Sequence, residues 1–350
     1  MPPPAQQGHV PVTLKDVAAR AGVSISTASN ALTGSRAVSA VSVERVLSAA
    51  AELGYQKNEA ARTLRTGLRN AIGLVVPDVT NPFWGGMVST IDRIAAESGF
   101  HVALTNTEFT PQRETAALAR LVSRVDGILL FSTHPTGSAV RPLLDLGIPV
   151  VACDEAFELD GLGGVYSDNE AGARAAASHL VDAGGSVFGI LEGPATLTTA
   201  QQRARGFRQG LQERGVLTTD IHAATAEYSF EGGRQGIRRL LAENPAIDAI
   251  FACTDNQAIG GIFEAMDMGR TIPDDLLVCG FDDISWSSRI APSLTTLRQD
   301  AEGMATRAAD MLLEMITVGG EPSVQVFPVE LVARDSTRRG AGGESPVTSL

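Results

Sequence analysis

The sequence predicts a small N-terminal all-α head of the helix-turn-helix kind, followed by an α/β core of two doubly wound parallel-sheet subdomains. Three observations carry this: helical spacing with capping signals in the first seventy residues, strand and helix alternation from about residue 71, and a length of 350 residues, enough for two or three cores. The expected divisions are a disordered N-terminus at 1–11, the head at 12–57, a hinge helix and linker at 58–68, the two-lobed body at 69–337 and a disordered tail at 338–350.

In the head, Thr13-Leu14-Lys15-Asp16 reads as a capping box. Leu14, Val17, Ala18 and Ala21 then recur at i, i+3, i+4 and i+7, one face of a first helix. Gly22 permits the left-handed backbone of a tight turn, Val23 plugs the angle between helices, and Ser24 caps a second helix running to about Thr33. Small Ala18 lets that helix pack close, leaving Ile25, Ser26, Thr27, Ser29 and Asn30 on its outward face. A third helix is expected with Ser39 as cap and Val43, Val46, Leu47, Ala50 and Leu53 inward, and Tyr55 closes the bundle. The run NEAARTLRTG at 58–67 has an Asn cap and a terminal Gly, but is shorter than the ~12 to 15 residues an isolated helix needs in water. It reads either as a solvated linker or as a segment that folds in pairs on a surface able to bury Leu64 and neutralise Arg62 and Arg65, as a DNA minor groove does.

Charge separates head from body. The net charge is -12, yet residues 1–70 hold eight Lys/Arg against four Asp/Glu, leaving 20 basic and 36 acidic residues elsewhere. A basic module on an acidic body can approach phosphates with one end while the other discourages indiscriminate adhesion. Cys153, Cys253 and Cys279 are odd in number and lie in apolar runs, so they are expected to be buried, reduced packing residues. The N-terminus lacks a basic start with an apolar run, and no segment offers about 18 unbroken apolar residues, so a cytoplasmic protein with no membrane contact is expected.

Beyond residue 71 the apolar runs IGLVVP, HVALTN, GILLF, IPVVAC, VFGILEG, AIFACTD and LLVCGFDD alternate with helical patterns. These are too many strands for one small sheet, and two doubly wound lobes with a cleft fit better. Ligands in such folds lie beyond the carboxyl ends of the strands. Polar and aromatic residues there are Asp78, Asn81, Phe83 and Trp84, then Asp154, then Thr254, Asp255 and Asn256, then Asp282, Asp283 and Trp286. Such a set suits a polyhydroxylated or heterocyclic small molecule, although each residue alone could equally be a helix cap or a turn. No complete GxGxxG after a strand, GxxxxGK[ST], GxSxG or HExxH occurs, so no enzyme activity, cofactor or metal is expected.

Residues 12–67, VTLKDVAARAGVSISTASNALTGSRAVSAVSVERVLSAAAELGYQKNEAARTLRTG, resemble the DNA-binding head of the LacI/GalR (lactose repressor) family of bacterial transcription regulators. The body resembles that family's periplasmic-binding-protein-like effector core, so the resemblance extends to about residue 337. It implies a recognition helix in the major groove led by Ile25, Ser26 and Asn30, with Thr27, Ser29 and Ser39 near phosphates. Thr13, Ser24, Asn58, Arg62 and Arg65 complete the implied DNA-binding set, and Leu64 would lever open a base step in the minor groove. Implied effector contacts are Phe83, Asp154, Arg203, Tyr228, Thr254, Asp282 and Gln299, to which the strand-end reading adds Asn81 and Trp84; Arg203 alone could be a structural ion-pair partner and Gln299 a hinge residue.

Two departures stand out. Many members carry Arg where this chain has Asn30, and Asn pairs with adenine where Arg favours guanine. Ala28 and Ala31 stand where Val is common, which predicts looser packing of the second helix. The tail lacks the apolar heptads of a tetramerising coil. The resemblance therefore implies a homodimeric repressor on palindromic operator DNA, controlled by a small-molecule effector: a sugar or sugar derivative, or alternatively a purine or nucleoside. A solute-binding receptor would share the two-lobed core, but should carry an export signal and no basic head.

Overall fold

The computed structural model describes residues 12–33, 36–55, 67–134 and 137–339. The chain divides into two compact units, Met1–Arg69 and Asn70–Leu350.

In the first unit, helix α1 (Leu14–Ala21) begins where Thr13 donates both its N–H and its Oγ1 hydrogen to Asp16 Oδ2, at 2.9 and 2.6 Å. The Thr13 bonds hold the Asp16 carboxyl below its ordinary pKa. Gly22 stops α1 at φ +64°, a conformation costly for other residues. Ser24 Oγ accepts from Thr27 N at 3.0 Å at the head of α2 (Ile25–Thr33). Ser39 does the same for Ser42 N, at 3.3 Å, on α3 (Ala40–Leu53). The core is small: Val17, Ala18, Ala21, Ala28, Val46 and Ala49, ringed by half-buried residues that include Val23 and Tyr55. One expectation fails here. Leu47 is 52% exposed, and Ala49 sits inside instead. The inward stripe is Val46, Ala49, Ala50 and Leu53, and Leu47 lies about 100° round the helix from Val46.

The second unit holds two six-stranded sheets. The first lobe comprises β1 (Ala71–Val76), α4 (Pro82–Glu97), β2 (His101–Asn106), α5 (Pro111–Leu121), β3 (Gly127–Leu130), α6 (Arg141–Asp145), β4 (Val150–Cys153) and β5 (Gly163–Ser167). The second comprises α7 (Asn169–Asp182), β6 (Phe188–Glu192), α8 (Thr198–Glu213), β7 (Ile221–Thr225), α9 (Phe230–Glu243), β8 (Ala249–Ala252), α10 (Asp255–Asp267), β9 (Leu277–Asp282) and β10 (Thr295–Gln299). The chain then returns to the first lobe as α11 (Ala301–Val318) and β11 (Val324–Phe327), and to the second as β12 (Val329–Val332). The strand orders are β2-β1-β3-β4-β5-β11 and β7-β6-β8-β9-β10-β12, parallel except for the antiparallel β10/β12 pair.

Both faces of each sheet are covered, which is why the strands read as nearly unbroken apolar runs. In the first lobe Ile72, Leu74 and Val76 meet residues of α4 and α11, while Val75, Ile128 and Leu130 meet Leu118 and Leu121 of α5. In the second, Phe188, Ile190, Phe251 and Phe281 pack with α7 and α8, and Leu191, Ile250 and Val278 with α9 and α10. Cys153, Cys253 and Cys279 are buried and free. Two of the crossings between lobes lead straight into helices: Asp168 accepts from Ala171 N at the head of α7, and Asp300 from Gly303 N at the head of α11. Strand order reverses between β1 and β3 and again between β6 and β8, so each lobe offers a crevice at its switch point. Among the described residues no helix is long and apolar enough to cross a membrane.

Candidate functional site

Arg203 is the hub of a buried polar network at the strand ends. The helical period that turns Ala200, Ala204, Phe207 and Leu211 of α8 inward also turns Arg203 inward, leaving it 2% exposed. Its Nε donates to Asn169 Oδ1 at 2.7 Å and its Nη1 to the Cys253 carbonyl at 2.6 Å. Nη1 also reaches Asp282 Oδ1 at 3.5 Å, and the guanidinium lies 3.8 Å from the Phe281 ring centroid. Burial opposes its charge, but Asp282, Tyr228 and Asp154 outweigh burial and push the guanidinium pKa up. The same burial drives the Asp282 carboxyl well above its ordinary range, with Arg203 pulling it back. Gln299 Nε2 donates to Asp282 Oδ1 at 2.7 Å, so one carboxylate ties α8, β9 and β10 together.

Around this cluster stand buried polar atoms that the described residues leave without a hydrogen-bond partner: Trp84 Nε1, Asp154 Oδ1, Tyr228 OH and Gln299 Oε1. Leaving such a group unsatisfied costs about 1–3 kcal/mol, so several together mark a place built for something else to bind. Asp154 follows β4 at φ +71°, and Glu155 N donates back to the Cys153 carbonyl at 2.9 Å, closing a left-handed γ-turn. That backbone costs a non-glycine residue about 1–3 kcal/mol. Burial pushes the Asp154 carboxyl up, against the pull of Arg203 and of the Trp84 indole N–H, which lies nearby without meeting hydrogen-bond geometry. Burial also pushes the Tyr228 hydroxyl well up, keeping it a neutral donor and acceptor.

Other residues at the strand ends have structural work. Asn81 accepts from Phe83 N at 3.1 Å and caps α4; Thr254 accepts from Gln257 N at 3.3 Å and caps α10. Phe83 is buried, edge-on to Trp84, which also packs against Phe109 at a tilt of 59°. Asp78 accepts from Thr80 in a local turn, and Asp283 pairs with Arg298 and Arg334 at 2.6 Å each. Asp255 is fully buried and accepts from Ile284 N, Ser287 and Thr296 at 2.9, 2.6 and 2.5 Å; burial pushes it up to about 7. Trp286 is 56% exposed. Sequence reasoning passed over Glu155, Phe281 and Asn169; the first two adjoin the picked Asp154 and Asp282, and Asn169 adjoins no picked residue. Glu155 accepts from Thr198 N at 2.8 Å, from Thr199 N at 3.2 Å and from Thr199 Oγ1. Burial pushes Glu155 up to about 7, Asp154 beside it adding to that and the threonine donors opposing it.

In the helical head, Ile25 is 50% exposed and Ser26 is exposed, while Thr27, Ser29 and Asn30 are half-buried. Ser24 Oγ lies 2.8 Å from both Ser26 Oγ and Thr27 Oγ1, so the cap also orders the first turn of α2. Thr13 and Ser39 are exposed at their helix starts. Asn58, Arg62, Leu64 and Arg65 lie outside the described residues.

Comparison with known proteins agrees with this two-part layout. Residues 13–58 match the model of bacterial regulatory proteins of the lacI family, and residues 69–334 that of periplasmic binding proteins and the sugar-binding domain of the LacI family. The ribose operon repressor of Halalkalibacterium halodurans is 33% identical over 95% of this chain and 99% of its own. Among solved structures, the lac repressor dimer bound to operator and the anti-inducer ONPF has a TM-score of 0.83 at 26% identity, covering 93% of this chain and 99% of that one. A LacI family regulator from Enterococcus faecium with bound ribose has a TM-score of 0.70 at 27% identity, covering 76% and 98%. The chain therefore belongs to the LacI family of bacterial regulatory proteins.

Proposed function

We propose that this protein is a sugar-responsive transcriptional repressor that binds a palindromic operator as a homodimer. One observation carries the choice of ligand. Trp84 supplies an unpartnered donor, Asp154 and Gln299 unpartnered acceptors, and Tyr228 a group that is both, beside a buried Arg203. Neighbouring hydroxyls, each able to donate and accept, satisfy such a mixture, and the indole face of Trp84 can lie against an apolar ring face. The ribose repressor relatives and the ribose-bound structure support a pentose over a larger sugar.

On this reading Asp154, Arg203, Tyr228, Asp282 and Gln299 hold or orient the sugar, with Phe83 and Trp84 as the apolar wall and Asn81 and Thr254 shaping the mouth. Ile25, Ser26 and Asn30 read base edges in the major groove, and Thr13, Ser24, Thr27, Ser29 and Ser39 face the phosphate backbone. Residues 58–67 of two chains pair in the minor groove, where Asn58, Arg62, Leu64 and Arg65 act. Lobe movement on sugar binding alters the spacing of the two chains beyond Gly67 and so the ease of that pairing. The protein performs no catalytic step, needs no cofactor or metal, and works in the bacterial cytosol.

Isothermal titration calorimetry of the full chain tests the ligand. D-ribose or a close pentose should bind with one site per chain, while adenine, guanine and cellobiose should not. Heat from a purine with none from any pentose would overturn the sugar assignment.

A further inference from the structure

We propose that Glu155 is the latch between the two lobes, and that by gripping the first turn of α8 it holds Asp154 in its ligand-binding orientation. Glu155 follows β4 in the first lobe; α8 belongs to the second. Its carboxylate, on a residue only 3% exposed, spans the cleft to Thr198 N, Thr199 N and Thr199 Oγ1. Those two amides are among the donors a helix start leaves without intrahelical partners, and an acidic group is favoured there.

The latch and the ligand residue are adjacent in the chain and share one turn. Glu155 N closes the γ-turn whose central residue is Asp154, so a Glu155 side chain fixed to α8 also fixes the unfavourable left-handed backbone that aims Asp154 inward. Thr199, the far end of the latch, lies near the Tyr228 hydroxyl without meeting hydrogen-bond geometry. Opening the lobes therefore releases the Asp154 turn and uncovers the latch donors in one motion. Lobe closure and assembly of the ligand site are a single event, with Glu155 a positioning residue that does not itself touch the sugar.

The chain has two tryptophans, so a Trp286→Phe background leaves Trp84, 5% exposed beside Asp154, as the only reporter. Acrylamide quenching of Trp84 is measured in the full chain without ligand. Glu155→Ala should raise the quenching constant several-fold and red-shift the emission. Glu155→Gln should stay near the parent, since its amide oxygen still accepts from the Thr198 and Thr199 amides. Thr199→Val should give a partial rise, and adding it to Glu155→Ala should change nothing further. Unaltered shielding in Glu155→Ala, or additive effects of Glu155→Ala and Thr199→Val, would overturn the latch. Should Glu155→Ala fail to fold, the contrast between Glu155→Gln and Thr199→Val decides the matter in the same way.

The effect on binding rests on the cleft being the sugar site: Glu155→Ala should weaken D-ribose at least tenfold and Glu155→Gln much less. The quenching measurement needs no ligand. A parent that binds no sugar therefore sinks the ligand reading alone, and unchanged quenching sinks the latch alone.

Discussion

Replacing Arg203 with alanine is expected to destabilise the two-lobed unit by about 3–5 kcal/mol, the cost of removing one partner of a buried ion pair, and to abolish sugar binding. The loss has several parts. Asp282 would keep its buried carboxyl without the guanidinium, the Cys253 carbonyl and Asn169 Oδ1 would lose donors at 2.6 and 2.7 Å, and the face of Phe281 would lose its cation. Arg203→Lys should recover little, because an ammonium cannot reproduce a planar fork that serves Asn169 and Cys253 together. Urea unfolding followed by circular dichroism measures the first effect and calorimetry with D-ribose the second. A variant with parental stability would show that Arg203 does not hold the buried polar network together.

A leucine at position 18 should abolish operator binding and leave the sugar site intact. Ala18, on α1, is 2% exposed, in a core whose other buried members among the described residues are Val17, Ala21, Ala28, Val46 and Ala49. Overpacking a core costs about 1–3 kcal/mol, a large share of the stability of so small a unit. Ala18→Leu would force α2 away from α1 and displace Ile25, Ser26 and Asn30 as a group. Gel-shift titration should show the loss of DNA binding while D-ribose calorimetry stays parental. Unchanged operator affinity would mean that the close approach of α1 and α2 does not position the recognition helix.

Local signals in the sequence carried the head well because its instructions are local. The Thr13 capping box, the Gly22 turn and the Ser24 and Ser39 caps act within a few residues, and each appears in the structure. Leu47 was misplaced because neighbouring apolar positions on α3 compete for one inward stripe, and only packing against α1 and α2 decides between them. In the body, the apolar runs picked out β1, β2, β3, β4, β6, β8 and β9. The missed strands β11 and β12 are partly exposed edge strands with no continuous apolar run, and β7 is similar. Buried β5 and β10 contain Gly, Ser, Thr and Gln, which blur the signal.

The cleft was legible as a set of strand ends but not as a division of labour. Sequence spacing could not show that Asn81 and Thr254 use their side chains as caps while Trp84, Asp154, Tyr228 and Gln299 keep atoms unpartnered. Nor could it show Glu155 reaching Thr199, a contact across 44 residues of chain that exists only once two lobes have folded.

Anisotropy of a labelled operator duplex, selected from a random pool by the full chain and titrated with and without saturating D-ribose, tests the central claim most directly. Coupling of about 1–3 kcal/mol between cleft and head corresponds to a roughly 5- to 150-fold change in operator affinity, which Arg203→Lys should erase. Identical affinity in the two titrations, with calorimetry showing the cleft filled, would contradict the account.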